Sequence, residues 1–303
     1  MISTLVLLAV IGLTVVRWRR VTDFRYRYSW MASVAAIIGL ACLGLPSVFG
    51  FELSQRDLDS WLGGVNAVWW LMHAAATTGL WFMRDATRIA FGKGPRPAWI
   101  LIVLLVAQTG LFAAIPDHHA DVATYVDATL QYWQCLAWLV VYMGGLLLIA
   151  LDAGLAPASP GSLFVRTMRF GYFAIATSCV VNFGYLLIGH VEHERTAVGA
   201  FLLSTFNAIF YPALALLVAL FITSYVVAYA PLLRVLGAVL SSASDRRPRV
   251  MRWLRTPQPH LELFPLVVVV RDEQAAGLRG TTGIVARAAD VAEERLQLNV
   301  AFA

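Results

Sequence analysis

Charge is what this chain has least of. Of its 303 residues only 14% are Asp, Glu, Lys or Arg, and a single lysine, Lys93, stands among the 23 basic residues. Soluble domains carry about a quarter of their residues charged, so this chain lacks the means to cover an ordinary water-facing surface. The lone lysine sits between apolar runs, which excludes a retinal-type Schiff base inside a bilayer. Three cysteines, Cys42, Cys135 and Cys179, all lie within apolar runs, and that excludes the evenly spaced disulfide framework of a small secreted domain. Histidine is scarce as well, with six in all. Only His73 lies well inside an apolar run, whereas a bis-imidazole haem needs two. The last run has no histidine, which excludes the His-x-x-x-His pair of the ceramidase and adiponectin-receptor type of zinc hydrolase. No catalytic constellation is left, the residues name no cofactor either way, and the reading leans away from an enzyme. Fixed-period repeats and low-complexity tracts are missing too.

What is present is apolar: 59% of the residues are hydrophobic. A bilayer core takes roughly 20 helical residues to cross, and seven runs of spanning or near-spanning length recur, at Ile2–Val16, Trp30–Phe49, Leu62–Met83, Trp99–Ile115, Tyr132–Leu151, Thr167–Ile188 and Val198–Ala228. The sequence thus predicts an all-α polytopic membrane protein, with a transmembrane domain over 1–228 and a cytoplasmic tail over 229–303. The first run carries Arg17, Arg19 and Arg20 after its apolar stretch, the reverse of a secretory signal, so it counts as a span. Gly94–Pro97 and Ala156–Gly161 are turn chemistry between runs.

Orientation follows from the basic residues, because cytoplasmic loops retain positive charge. The segments after the first, third and fifth runs hold 10 of them, with Arg169 at the start of the sixth run making 11 on that side, and those after the second, fourth and sixth hold 2. The N-terminus is therefore expected outside and the tail in the cytosol of a plasma-membrane protein. The arginines line the inner face with no nucleic-acid-binding motif.

The outer segments carry eight acids against two arginines, and four of the six histidines: His118 and His119 in the loop after the fourth run, His190 and His193 in "GHVEHERT" after the sixth. His190 and His193, three apart, share a helix face if the helix runs one turn past the membrane. Imidazoles and carboxylates suit zinc, but a zinc site needs three or four converging ligands, here from two loops. The bland alternative is a solvated acidic surface whose histidines titrate near pH 6.5, raised by neighbouring carboxylates, and the expectation is a pH-responsive rim without tightly held metal.

Inside the runs the polar groups are uncharged and spaced as stripes. Asn66, Trp70, His73 and Thr77 follow one another at four, three and four residues, which puts them on one helical face. Gln131, Gln134, Trp138 and Tyr142 repeat the register in the fifth run, Tyr172, Cys179, Asn182 and Tyr185 in the sixth, and Ser204, Asn207 and Tyr211 in the seventh, with Gln108 in the fourth. Polar groups persist in a membrane where another helix, water or a ligand meets them. A cavity lined by Asn66, Trp70, His73, Thr77, Gln108, Gln134, Asn182, Asn207 and Tyr211 and open to the outside is one reading. Ordinary interhelical hydrogen bonds, about 0.6 kcal/mol each, are the other.

In the tail, Arg234, Arg246, Arg247, Arg249, Arg252 and Arg255 surround Trp253, a composition that attracts anionic lipid headgroups at about 1 kcal/mol per near-surface charge. Two short helices follow, 260–278 and 284–298, although four consecutive valines at 267–270 also suit a strand.

The seven-span layout with an external N-terminus, the stretch Gly-Gly-Val-Asn-Ala-Val-Trp-Trp-Leu-Met-His at 63–73 and the tail motif Val-Val-Val-Val-Arg-Asp-Glu at 267–273 together resemble a family of uncharacterised actinobacterial seven-helix membrane proteins labelled as transporters. The resemblance implies an integral membrane protein near cytosolic regulators, and it carries over no catalytic residue. Seven spans do not divide into two equal halves, and only Pro46 and Pro212 lie in or near the interior of a span, whereas transporters show paired repeats and broken helices. A receptor-like sensor fits the odd span count and the cytosolic tail better. A non-catalytic subunit of a larger membrane complex, held by a membrane or cytosolic protein partner, fits as well.

Overall fold

The computed structural model describes residues 24–240 apart from 44, 49–50, 158–161 and 193–195, together with scattered residues within 7–15 and 267–293; the side chains of 24–26, 45–53 and 224–240 are outside that description. The protein is helical. Its elements run α1 (Phe24–Cys42), a two-stranded hairpin of β1 (Leu45–Val48) and β2 (Phe51–Leu53), α2 (Gln55–Trp61), α3 (Ala67–Ala90), α4 (Ala98–Ala113), α5 (Tyr125–Thr129), α6 (Trp133–Gly154), α7 (Leu163–Glu192) and α8 (Ala197–Leu240). The second apolar run, expected to stay helical to Phe49, stops at Cys42 instead. Pro46 cannot supply a helical amide hydrogen and disfavours helix in the residue before it, and the chain turns into an antiparallel hairpin that pairs Leu45 with Leu53 and Val48 with Phe51.

Among the described residues, three helical segments are long and apolar enough to cross a bilayer: Trp133–Gly154, Leu163–Glu192 and Ala197–Thr223. Arg27–Cys42 and Ala98–Ala113 are shorter apolar helices. The expected third run falls on α3, whose last two turns are charged, with Arg84, Asp85 and Arg88. Of the expected first run, the described residues are helical. Leu7, Val10 and Thr14 there are buried, and the Trp30 indole donates to the Thr14 carbonyl at 3.1 Å. The outward side chains of α4 include Trp99, Ile102, Val103 and Val106, each more than half exposed. A single soluble chain rarely leaves so continuous an apolar face bare, and the protein is membrane-associated.

Small residues set the helix spacing. Gly39 on α1 sits against Ala75 on α3, and Gly79 on α3 against Ala35 on α1, each 3.6 Å from a glycine's would-be Cβ, the close approach that membrane helices use in place of hydrophobic collapse. On α6, a Cβ at Gly145 would lie 2.8 Å from a Leu104 methyl of α4; on α7, one at Gly171 would lie 2.8 Å from a Leu217 methyl of α8. At both sites a larger residue would push a leucine of the neighbouring helix aside.

The chain forms two compact units, Met1–Val218 and Ala219–Ala303, so the division falls within α8, ahead of the expected one after Ala228. In the second unit residues 267–268 and 270–275 are helical, which decides the valine run in favour of helix. Val267 and Val270 are buried, as are Ala286, Ala289 and Ala292 of the following helical segment. Arg271 donates to Asp290 at 2.7 Å and to Glu293 at 2.6 Å, tying the two segments together. The arginines at 246–255, and the anionic-headgroup surface expected of them, lie outside the described residues.

Candidate functional site

α3 carries the chemistry at three levels: a polar cap at its N-terminus, an aromatic cluster around His73 at its middle and a knot of ion pairs at its C-terminus.

The cap begins with a turn. Gly63, Gly64 and Asn66 all have positive φ, at 101°, 67° and 56°, a conformation that glycine and asparagine adopt most readily. This reverses the chain between α2 and α3. α2 opens on a capping box in which the Ser54 hydroxyl accepts from the Asp57 amide while the Asp57 carboxylate accepts from Ser54. Buried Asp59 then accepts from the Asn66 amide at 3.1 Å and meets the Val68 amide at 3.4 Å, giving the first turn of α3 the acceptor it needs. The Asn66 side chain donates to the carbonyls of His118 and Ala120, both at 2.8 Å, and the Trp69 indole donates to that of Val122 at 2.7 Å. Arg56 pairs with Asp121. The loop after α4 is thus strapped across the end of the bundle by α3 itself. Asn66, expected to line a cavity, instead fastens the loop after α4, because the left-handed turn aims its amide at that loop.

His118 Nδ1 lies 3.2 Å from the Tyr125 hydroxyl, and its ring packs on Phe112. His190 Nδ1 lies 2.8 Å from the Leu130 carbonyl, and Tyr185 donates to Asp127 at 2.9 Å. His119 is exposed, His190 half-buried, and His193 lies outside the described residues. Among the described residues, no three metal-binding side chains converge. In the cap, the Ala123 amide and then Arg56 hold the Asp121 carboxyl below the usual carboxylate range. Hydrogen bonds from Ser54 do the same for Asp57.

One turn below the cap, His73 points into the bundle, as its stripe predicts. Its ring centroid is 4.8 Å from that of Trp138, edge-on, 4.2 Å from that of Tyr142 and 5.7 Å from that of Trp69, nearly parallel. Phe112 of α4 closes the group against Trp138 at 5.1 Å. Thr77 donates to the His73 carbonyl at 2.9 Å and accepts from Gln108 of α4 at 3.1 Å, while the Trp70 indole donates to Thr109 at 3.1 Å. Three of the expected residues therefore meet here, His73, Thr77 and Gln108, while Trp70 reaches Thr109 instead. Asn182 is buried on α7, and Gln134 is half-buried on α6 one turn before Trp138.

The group is unusual in what it leaves unmade. His73 Nδ1, Gln108 Oε1, Trp138 Nε1 and Asn182 Oδ1 are buried with no partner in hydrogen-bonding geometry. Each such atom costs about 1–3 kcal/mol.

Asn207 does not join them. α8 turns Phe206, Ala213 and Leu217 inward, a rotation fixed where Leu217 lies over Gly171. Asn207 is left exposed, and Tyr211 is 53% exposed.

The third level was not visible as a site in the sequence. Arg84 and Asp85 are 3% and 1% exposed. Arg84 donates to Asp85 Oδ1 through Nε at 3.0 Å and Nη2 at 2.7 Å. Its guanidinium lies 3.6 Å from the centre of the Trp81 ring and, through Nε, 3.6 Å from Asp152 at the end of α6. Asp152 also receives Arg88 at 3.0 Å and Arg96 at 2.7 and 3.1 Å, and the Arg96 amide reaches Asp85 at 3.2 Å. Three arginines and two aspartates thus bind the end of α3, the loop before α4 and the end of α6. Beside them Tyr172 of α7 and Thr87 share a 2.9 Å hydrogen bond. A faint signal was present: Arg84 and Arg88 are four apart, and Asp152 is a lone acid closing an apolar run.

No known family, no curated protein and no solved structure matches this chain.

Proposed function

We propose that this is a seven-span plasma-membrane protein, N-terminus outside and tail in the cytosol, acting as a receptor-like sensor of a small neutral polar molecule held beside His73. The observation that carries the reading is three unpartnered buried polar atoms at the His73 cluster, His73 Nδ1, Gln108 Oε1 and Trp138 Nε1, with a fourth, Asn182 Oδ1, on α7. A bundle shaped only for stability would place apolar groups at those positions, since satisfied or absent polarity is cheaper than orphaned polarity. The atoms offer one donor (Trp138), two acceptors (Gln108 and Asn182) and an imidazole nitrogen. Aromatic rings surround His73 and, among the described residues, no ionised side chain touches it, so a neutral, hydrogen-bonding, partly flat solute is the complement.

A transporter at the same cluster is the second reading, the one the family resemblance implies. The ion-pair knot favours a sensor over it. A carrier must open its inner end in every cycle, and parting a buried, ion-paired arginine costs several kcal/mol. A structural subunit is the remaining alternative, and it predicts a stoichiometric protein partner.

The test is to purify the full chain, release bound small molecules by denaturation and identify them by mass spectrometry, alongside His73→Phe and Asn182→Leu. The sensor reading expects a neutral compound carried by the parent and lost from both variants. Identical contents from all three, with both variants more stable than the parent, would show the cluster to be packing alone.

A further inference from the structure

The last described membrane helix is poorly covered by its own chain. Of the apolar window of Ala197–Thr223 only 17% is buried, against 50% for Trp133–Gly154 and 44% for Leu163–Glu192. Its uncovered face is also not uniformly apolar. Asn207 is exposed and has no hydrogen-bonding partner among the described residues, Ser204 is exposed with its hydroxyl turned back to the Phe201 carbonyl, and Tyr211 follows one turn on. Ala200 and Ala208, four residues on either side of Ser204, are exposed too.

We propose that this outward face of α8 is the contact between two copies of the chain within the membrane. Depth is the first argument. Asn207 lies ten residues into a segment that begins at Ala197, about 15 Å along a helix, which is the middle of a hydrocarbon core about 30 Å thick. Neither water nor headgroups reach that depth, and acyl chains offer no hydrogen bond, so lipid leaves the amide unsatisfied.

The second argument is self-complementarity. A carboxamide carries a donor and an acceptor, and a two-fold axis along the membrane normal brings each Asn207 to the same depth as its counterpart. The third is shape. Ala200, Ser204 and Ala208 form a low ridge that lets two backbones approach closely. A different protein would have to present its own polar group at the bilayer midplane, whereas a second copy does so without further assumption.

The experiment is in-membrane oxidation of the full chain carrying one added cysteine at a time. The three native cysteines are buried and supply little background. Ser204→Cys and Ala208→Cys are expected to give a disulfide-linked species of twice the chain mass, and the inward controls Phe206→Cys and Ala213→Cys to give none. Introducing Asn207→Leu beside Ala208→Cys should lower the dimer fraction about three- to tenfold, the range of one interhelical polar contact, and Asn207→Gln should restore it. No dimer at 204 or 208, equal yields at inward positions, or adducts of another mass would each overturn the proposal.

Discussion

Removing Asp85 isolates the physics of the knot below the aromatic cluster. Asp85 is 1% exposed and receives both bonds of a guanidinium that is itself 3% exposed. In Asp85→Leu, Arg84 keeps the Trp81 face and a weak 3.6 Å approach to Asp152, but it loses its only close carboxylate. Breaking a buried pair from one side costs about 3–5 kcal/mol. The two surviving contacts place the loss near the lower end, at about 3 kcal/mol. Arg84→Met strands the opposite charge, leaving Asp85 with only the Arg96 amide, and should cost at least as much. The double variant Arg84→Met, Asp85→Leu strands no charge and frees only the half-buried Arg96 amide, because the pair is replaced by apolar groups of similar volume, and should return to within about 1–2 kcal/mol of the parent. Reversible unfolding in mixed micelles, followed by circular dichroism, measures all four corners of the cycle. Additive losses, giving a double variant worse than either single, would refute the claim that what matters is charge left unpaired.

Topology is tested by cysteines at 117–121, which an impermeant thiol reagent should label on whole cells; labelling of Lys93→Cys instead would invert the bundle. At the cap, Asn66→Gly keeps the left-handed turn and loses two bonds to the loop, whereas Asn66→Ala loses both and is strained as well. The alanine variant should therefore be less stable by about a further 1 kcal/mol, with faster amide exchange at 118–122, and the opposite order would show that the turn does not need that conformation. Asp57 and Asp121 are held below the ordinary carboxylate value near 3.9. Depressed acids stabilise above their unfolded value and cease to do so as pH falls through the folded one, so the capping box and the Arg56 tie should persist at pH 5 and weaken only below about 4. Carboxyl-carbon titration checks this, and a midpoint for Asp121 above 4 would contradict it.

Low charge and recurrent apolar runs were enough to read a helical membrane protein, and the four-three-four spacing from Asn66 to Thr77 correctly aimed His73 inward. Periodicity could not distinguish a residue lining an interior from one closing its end. Asn66 shares the stripe, but two left-handed glycines before it turn its amide onto a loop more than fifty residues away in sequence. α8 is apolar nearly all round, so its pattern has no preferred face, and only the passage of Leu217 over Gly171 reveals that Asn207 points outward. The knot escaped because its partners lie 56 and 64 residues apart, beyond any local period.

That separation also orders events during synthesis. Arg84, Arg88 and Arg96 leave the ribosome well before Asp152, with 64 residues of chain between Arg88 and its acceptor. Until α6 arrives, the partners already made are Asp85, which receives Arg84 and the Arg96 amide, and the Gly94 carbonyl, which receives Arg88. When Asp152 arrives, all three arginines turn to one carboxylate, and the end of α3 and the loop before α4 become joined to a helix made later.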